Sequence, residues 1–263
     1  MSPPLQTRLD AAMDLAERAG ELAVEMRPPP GNPRGTLKGP QNWVTEADGA
    51  VEQFLSDELA AAFPEDGFQG EEGGITRAGS LRWVVDPIDG TANYARGAAR
   101  FCVSLACLEG DTPLIGIIAA PALRETIWAW RGGGAWRNGE AIHAASTTDP
   151  AQAIMEIGWS RRCPNADYLT LCARILADGA TLRQGGSGAL GLIDVATGRQ
   201  DGYAELHINL WDVAAALVIL REAGAKVSDF LAGTGPIEGN PIVACAPGLA
   251  TAWSSLPGVP KPL

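Results

Sequence analysis

The stretch from Trp83 to Gly97, WVVDPIDGTANYARG, constrains this chain most strongly. An apolar run in it meets two carboxylates three residues apart, Asp86 and Asp89, so we expect a buried strand to end abruptly in an acidic turn. Burying like charges so close together costs on the order of several kcal/mol unless a cation or a proton relieves the repulsion. Mg2+ suits such a pair, because it takes few carboxylates, keeps water ligands and recruits phosphate oxygens. An ordinary surface turn is the alternative interpretation of these residues alone.

Gly90 and Thr91 follow the two carboxylates and extend the same interpretation. A glycine lets the backbone approach an anion closely, and a threonine hydroxyl can hold a water molecule. Farther along, the Gly-Ser-Gly of residues 186–188 opens a predicted helix. Its free N–H groups could hold an anion or a polyol hydroxyl, and close packing of helix and strand explains the same glycines equally well.

Several other charged residues have both a local and a functional explanation. Lys38 lies in a Gly/Pro-rich connection, where a lysine is usually solvated, and Glu71 with Glu72 lies in a glycine-flanked acidic loop. Asp48 and Asp212 each fall in the first turn of a predicted helix, where a carboxylate complements the helix dipole. The functional explanation is stronger for the pair at 71–72, because this pair lies a short distance upstream of the Asp-rich turn.

Composition limits the classes of partner. The chain has 263 residues, with 31 acidic and 20 basic side chains and a net charge of −11. Nucleic acid and anionic membranes are therefore not expected as partners, and a phosphate substrate would need bound cations to reverse the local sign. Five cysteines without a CxxC pair predict neither a disulfide framework nor a thiolate zinc site. No apolar run approaches the length of a membrane span, so a cytoplasmic protein is expected.

Composition predicts a mixed α/β protein, whose length allows two intimately packed halves, and a change of character near residue 150 divides them into residues 1–150 and 151–263. The first half, an α+β unit, carries the metal-binding turn, and the second completes the site. The predicted helices span residues 5–27, 45–63, 167–176 and 211–224, with another inside 183–198. The predicted strands beyond the acidic turn span residues 101–108, 114–120, 126–130, 154–158, 203–208, 225–230 and 241–246.

Three segments together resemble one known family. They are GEE at 70–72, WVVDPIDGTANY at 83–94 and LWDVAAALVILREAGAKVSDF at 210–230. In order and spacing they are similar to the signature segments of the inositol monophosphatase family, which are Mg2+-dependent, lithium-sensitive phosphatases. The similarity runs from about residue 38 to residue 230. It implies an alternating α-β-α-β-α sandwich of the sugar phosphatase type, a homodimer, and a small phosphorylated alcohol as substrate.

The resemblance also implies roles for individual residues. The metal-binding positions, for two or three Mg2+ ions, are occupied by Glu71, Asp86, the main-chain carbonyl of Ile88, Asp89 and Asp212. The catalytic positions are Asp48, Thr91 and Glu71, of which the first two would orient or activate the attacking water. The substrate-binding positions are Gly90 and Thr91 for the phosphate, and Gly186, Ser187, Gly188 and Glu205 for the alcohol. Glu72 would lie behind the metal ligands, and Lys38 on a mobile loop.

The chain departs from the family pattern at three places, of which the mildest is Tyr94, where phenylalanine is usual. Asn42 stands where many members have aspartate, which removes a charge near the mobile loop. Residues 97–100 are GAAR, where an aromatic-proline pair is familiar, so the wall beside the site is altered and Arg100 is unexpected.

The substrate is predicted less directly than the chemistry. Ala92, Asn93 and Tyr94 after the signature threonine most resemble the inositol monophosphatase type. Histidinol phosphate is an alternative, since Glu205 could accept a hydrogen bond from an amine as well as from a hydroxyl. Other sugar or nucleotide phosphates are further alternatives. An alternative of another class is an adaptor, because extragenic-suppressor members of the family associate with transcription machinery.

Overall fold

Helices and sheets alternate in five layers. The computed structural model describes residues 3–263, with side chains from residue 5. The helices are α1 (Pro3–Glu25), α2 (Glu46–Ala62), α3 (Thr91–Tyr94), α4 (Asn165–Ala177), α5 (Gly188–Ala196), α6 (Leu210–Glu222) and α7 (Gly235–Glu238). The strands are β1 (Thr36–Gly39), β2 (Asn42–Val44), β3 (Gly67–Gly70), β4 (Gly74–Arg77), β5 (Leu81–Asp89), β6 (Cys102–Glu109), β7 (Thr112–Ala120), β8 (Glu125–Trp130), β9 (Ala135–Arg137), β10 (Glu140–Ala141), β11 (Ile154–Gly158), β12 (Thr181–Arg183), β13 (Gly202–Ile208), β14 (Lys226–Val227) and β15 (Asn240–Cys245).

Two large sheets form the strand layers. The eight-stranded sheet has the order β10-β9-β8-β7-β6-β5-β3-β4, and its neighbours are antiparallel except for the parallel pair β3 and β5. The five-stranded sheet has the order β12-β11-β13-β15-β14, with β11 parallel to both of its neighbours. Strands β1 and β2 form a separate antiparallel hairpin.

Side-chain alternation along the strands explains why the layers stack. On β5, Trp83 and Val85 face the core under α1 and α2, whereas Val84 faces the core shared with α5 and α6. On β13, Tyr203 faces that same shared core, and Ala204 faces the third core, under α4. The order is therefore α1/α2, large sheet, α5/α6, small sheet, α4. The predicted α/β class with alternating layers is confirmed.

The acidic turn differs from the expectation. Strand β5 continues through Asp89, and its pairing with β6 shifts between Asp86, opposite Ser104, and Asp89, opposite Cys102. Between these two pairs the chain moves three residues along β5 but only two along β6, so β5 contains a β-bulge. Pro87 lies inside it and has no N–H to donate to the ladder. The bulge, rather than a turn, changes the direction of the two carboxylates.

Two further segments correct the prediction. The connection around Lys38, expected to be an irregular mobile loop, contains the β1–β2 hairpin, with Gln41 at a left-handed φ of 55° in its turn. The strand expected over residues 225–230 is limited to Lys226–Val227, after which short turns lead to α7. Among residues 3–263, no helix combines the length and the apolar character needed to cross a bilayer.

Close packing of α6 on the large sheet depends on Gly116 in β7. A Cβ atom added there would lie 2.2 Å from the carbonyl oxygen of Ala215, a main-chain atom inside α6. We expect Gly116→Ala to cost about 1–3 kcal/mol of stability through overpacking. The measurement is the urea midpoint of the variant against that of the unmodified chain.

Gly49→Ala provides the matched control for this prediction. Gly49 lies exposed in α2, and an added Cβ meets nothing within 4 Å. Replacing a helical glycine there should stabilise the protein by up to about 1 kcal/mol. A Gly116→Ala variant as stable as Gly49→Ala would contradict the packing described for α6.

Candidate active site

Three carboxylates from distant parts of the chain meet where the large sheet faces α5 and α6. Asp86 and Asp89 extend from the bulge of β5, and Asp212 from the first turn of α6. One oxygen of each lies within 4.8 Å of the others, a grouping that could hold a metal ion. Asp86 is 1% exposed and Asp89 7% exposed, so both are withdrawn from bulk water.

Hydrogen bonds from α5 hold Asp89 in place. Its carboxylate accepts the Ser187 hydroxyl, the N–H of Ala189 at 2.9 Å and the N–H of Gly188 at 3.2 Å. These N–H groups belong to the unsatisfied first turn of a helix, where a negative charge is stabilised. The Gly-Ser-Gly segment therefore binds an aspartate of the same chain, a use that the sequence analysis did not consider.

Asp212 and Asp48 each accept hydrogen bonds from the residue that precedes their helix. Oδ2 of Asp212 accepts the main-chain N–H of Asn209 at 2.9 Å and its side-chain amide at 3.1 Å. Oδ2 of Asp48 accepts the N–H of Thr45 at 2.8 Å and its hydroxyl at 2.6 Å, in a capping box at the start of α2. In each case the bonds fix Oδ2 of the carboxylate and leave Oδ1 available to the site.

Thr91 connects Asp48 to the acidic strand. Its Oγ1 donates to the carbonyl oxygen of Ile88 at 2.8 Å and lies 3.3 Å from Oδ1 of Asp48. Gly90 precedes it with a left-handed φ of 89°, which allows the sharp entry into α3. Asp48, which lies 43 residues before Thr91 in the chain, is therefore in one network with Ile88 and Thr91.

Glu71 and Glu72 lie in the turn between β3 and β4, and a buried residue that the sequence analysis missed positions them. The Glu52 carboxylate accepts the N–H of Glu72 at 2.9 Å and that of Gly73 at 2.7 Å. Glu52 lies one helical turn after Asp48 in α2, and this i, i+4 spacing was the available signal. Glu72 also forms an ion pair with Lys38, so the β1–β2 hairpin touches the acidic turn.

A cavity of about 460 Å³ opens beside the carboxylates. Its lining includes Asp89 and Asp212 together with the four predicted alcohol contacts, Gly186, Ser187, Gly188 and Glu205. It also includes residues that the sequence analysis did not select, namely Gln41, Trp159, Arg161, Arg162 and Tyr203. Tyr203 donates to Oε2 of Glu205 at 2.5 Å, which fixes that carboxyl group in the wall. The predicted positions 186–188 and 205 thus share one cavity with two of the clustered carboxylates.

Burial raises the pKa of every carboxyl group at the centre of the site. It raises the pKa of Glu71 to about 8, with further contributions from the charges of Asp212 and Glu72. It raises the pKa of Asp89 to about 6, to which Asp212 adds, while the Ser187 and α5 hydrogen bonds oppose the shift. The pKa of Asp86 is raised well above its ordinary range by burial and then by Glu71. Without a cation these groups compete for protons.

The donor set fits a hard divalent cation. All of the clustered ligand atoms are carboxylate oxygens, the class that Mg2+ and Ca2+ prefer. Across residues 3–263, no lysine or arginine forms a salt bridge with Asp86, Asp89 or Asp212. A bound cation would supply the positive charge in direct contact with these carboxylates that no such salt bridge provides.

The raised pKa values predict how stability depends on pH in metal-free protein. Unfolded Glu71 and Asp89 ionise near 4.5 and 3.8, but the folded groups hold their protons up to about 8 and about 6. Between about pH 4 and pH 8 the unfolded chain is the more ionised state, so stability falls as the pH rises. Thermal unfolding in EDTA should show a lower midpoint at pH 8 than at pH 5.5.

Added divalent metal should offset the loss of stability at high pH. Added Mg2+ should raise the unfolding midpoint more at pH 8 than at pH 5.5, because it binds the ionised carboxylates in competition with protons. Asp89→Asn is the control and should reduce the Mg2+ response. An equal Mg2+ effect at both pH values, or an unchanged response in Asp89→Asn, would contradict a metal site at the cluster.

Comparison with known proteins places this geometry in a family. The inositol monophosphatase family model matches residues 5–255. Nus factor SuhB of Xylella fastidiosa is 37% identical over 201 residues, covering 76% of this chain and 73% of that protein. Inositol-1-monophosphatase of Rhizobium meliloti is 35% identical over 244 residues, covering 91% and 88%. The solved structure of a Thermotoga maritima IMPase has a TM-score of 0.82 at 30% identity and covers 94% of each chain.

These matches cover nearly the whole chain, and they agree with the three signature segments from which the resemblance was inferred. The fold described above matches those of two structural relatives, at TM-scores of 0.82 and 0.80. The chain therefore belongs to the inositol monophosphatase family and is a phosphatase.

Proposed function

We propose that this chain is a Mg2+-dependent phosphomonoesterase that hydrolyses a small polyol phosphate, with inositol monophosphate as the preferred substrate. The observation that carries the proposal is the convergence of Asp86, Asp89 and Asp212 within 4.8 Å beside a polar cavity. A cavity of about 460 Å³ is large enough for a phosphorylated six-carbon ring. The family relationship supports the same chemistry.

Five ligands would hold the Mg2+ ions, two or three in number: the side chains of Glu71, Asp86, Asp89 and Asp212 and the carbonyl oxygen of Ile88. When bound, Mg2+ would neutralise phosphate charge, acidify a water molecule and stabilise charge on the departing alcohol. The buried carboxylates supply the negative charge that selects such ions, and the α5 and α6 hydrogen bonds hold two of them in a fixed orientation.

Asp48 and Thr91 would orient the attacking water, and the Asp48 carboxylate would receive its proton. Burial raises the pKa of Asp48, although the Thr45 hydrogen bonds oppose the shift, and a higher pKa makes a carboxylate a better base. Glu71, with a pKa of about 8, is the second group able to exchange a proton near neutral pH. The N–H groups of Gly90 and Thr91 would donate to phosphate oxygens.

The alcohol would lie against residues 186–188 and Glu205. Oε2 of Glu205 accepts the Tyr203 hydroxyl, and Oε1 would contact a substrate hydroxyl. Burial raises the pKa of Glu205 to about 8, so its carboxyl group can donate as well as accept near neutral pH. A carboxyl group of this kind suits a polyol, which presents both donors and acceptors.

Phosphate release from a panel of esters tests the proposal. The panel contains inositol 1-phosphate, histidinol phosphate, 3'-phosphoadenosine 5'-phosphate, fructose 1,6-bisphosphate and glycerol 2-phosphate, each with Mg2+, with EDTA and with added lithium. We expect Mg2+-dependent turnover that favours inositol 1-phosphate. Asp48→Asn should lower kcat by about 10²–10⁴-fold, since the general base is lost.

Asp57→Asn is the matched control, because Asp57 lies on the same helix and its side chain accepts only a surface hydrogen bond from Gln53. It should leave kcat unchanged. Preference for histidinol phosphate would replace the substrate assignment while retaining the enzyme. No turnover on any ester, despite Mg2+ binding, would refute the proposal and favour the adaptor role predicted as an alternative.

One observation favours a second candidate, a substrate with two anionic groups. Arg161 and Arg162 line the cavity, and in the described part of the chain neither guanidinium forms a salt bridge. Both side chains are exposed, in a protein whose net charge is −11. Free arginines at the rim of such a cavity suit a phosphate on the far side of the substrate.

Arg161→Gln combined with Arg162→Gln tests this second candidate. If fructose 1,6-bisphosphate is a substrate, the double variant should raise its KM by about tenfold or more, because charge-assisted bonds to phosphate are lost. The KM for inositol 1-phosphate should change less. Arg131→Gln, an exposed arginine outside the cavity lining, is the control. Equal effects on both substrates would remove the support for a bisphosphate.

Two remaining assignments accompany the proposal as predictions. A homodimer is expected from the family and can be checked by light scattering. A cytoplasmic location is expected because all five cysteines are free thiols, as in reducing compartments.

A further inference from the structure

Arg100, the residue that the sequence analysis found unexpected, links the large sheet to the C-terminal elements. Its Nη2 lies 2.9 Å from Oε2 of Glu156 in β11, and its Nη1 lies 2.9 Å from Oδ2 of Asp194 in α5. Glu156 is 3% exposed, so this is a buried charge that needs its partner. The planar guanidinium can serve two carboxylates at once, which a lysine ammonium does less well.

The same group of residues holds the peptide of Gly185 on both sides. Oε1 of Glu156 accepts the Gly185 N–H at 2.9 Å. Nδ2 of Asn93 donates to the Gly185 carbonyl at 2.8 Å and to the Arg100 carbonyl at 2.9 Å. The side chain of Arg100 therefore holds Glu156, and its main-chain carbonyl holds Asn93; these are the two residues that bind Gly185.

The contact between Arg100 and this loop is direct. A Cβ atom added at Gly185 would lie 2.2 Å from Nε of Arg100, so the glycine lets the loop rest on the guanidinium. The following residues, Gly186 and Ser187, line the cavity, whereas Arg100 does not. Arg100 can therefore influence a bound alcohol only indirectly, through the loop of residues 184–187 and through Glu156, which also lines the cavity.

We propose that Arg100 is a positioning residue, which sets the place of the 184–187 loop against the leaving alcohol and thereby controls selectivity among alcohols. This inference rests on the proposed function for its kinetic consequence, but its structural consequence is independent of activity. Removing the guanidinium leaves Glu156 without its ionic partner, and the loop loses the support on which it rests. Displacements of about 1 Å in such positioning elements can change rates by large factors.

Arg100→Met is the test variant, and Arg199→Met is its matched control. Arg199 also approaches Asp194, at 3.6 Å, and pairs with Glu125 on the surface, but within the described residues it forms no hydrogen bond or ion pair with Glu156 or Gly185. For Arg100→Met, KM for inositol 1-phosphate should rise about tenfold, while kcat/KM for p-nitrophenyl phosphate, which lacks hydroxyls, changes less than about twofold. Arg199→Met should leave the ratio of kcat/KM for the two substrates unchanged. Arg100→Lys should restore part of the preference for inositol 1-phosphate that Arg100→Met loses.

Hydrogen exchange provides the measurement that needs no turnover. Peptides containing residues 184–187 should exchange faster in Arg100→Met than in Arg199→Met. The reason is that Glu156, whose Oε1 accepts the Gly185 N–H, is no longer held in place by Arg100. If Arg100→Met does not fold, the same comparison is made with Arg100→Lys, which should show a smaller change in the same direction.

The outcomes separate this inference from the proposed function. A wild-type protein inactive on every ester would refute the proposed function, and exchange in the 184–187 loop would still decide the role of Arg100. An unchanged substrate ratio and unchanged exchange, in a folded Arg100 variant, would overturn the inference. A parallel loss on both substrates would also overturn it, because it would show a general structural role instead of selectivity.

Discussion

Electrostatic repulsion among three clustered carboxylates, two of them buried, is the constraint to which the rest of the structure responds. Asp86, Asp89 and Asp212 lie within 4.8 Å of one another, and no basic side chain within residues 3–263 pairs with them. The fold offsets part of this cost with helix N-termini. Asp48, Asp89 and Asp212 accept hydrogen bonds at the starts of α2, α5 and α6, where the helix dipole favours negative charge. The repulsion that these hydrogen bonds do not offset would favour the binding of a divalent cation.

The layered architecture brings these helix N-termini together. The α2 helix covers one face of the large sheet, and α5 with α6 covers the other, so the carboxylates meet at the edge where β5 leaves its ladder. The bulge at Pro87 is what allows Asp86 and Asp89 to contribute to the same site, although a regular strand places residues three apart on opposite faces. Arg100, Asn93 and Glu156 then join the acidic strand region to the loop that borders the cavity.

Sequence patterns predicted most of the fold because each element carries its own period and stop signals. The strand over residues 154–158 and the helix starting beside Asp212 followed from local residues alone. The carboxylates predicted to hold metal, Glu71, Asp86, Asp89 and Asp212, could be proposed from sequence for a related reason: short signature segments contain them. The bulge was missed, since its cause, an unpaired proline opposite β6, depends on the neighbouring strand. The contact of Glu52 with Gly73 and the pairing of Arg100 with Glu156 were also missed, because contacts across 21 and 56 residues cannot be read from local sequence; only the position of Glu52 one helical turn after Asp48 was visible there.

Anomalous diffraction from crystals soaked in Mn2+ tests the central claim most directly, because Mn2+ takes the same oxygen ligands as Mg2+ and can be located without assumptions about the protein. The account predicts at least one anomalous peak within bonding distance of the Asp86, Asp89 and Asp212 carboxylates, and its loss in Asp89→Asn. The absence of a peak at these carboxylates under saturating Mn2+, or occupation of a different site only, would contradict it.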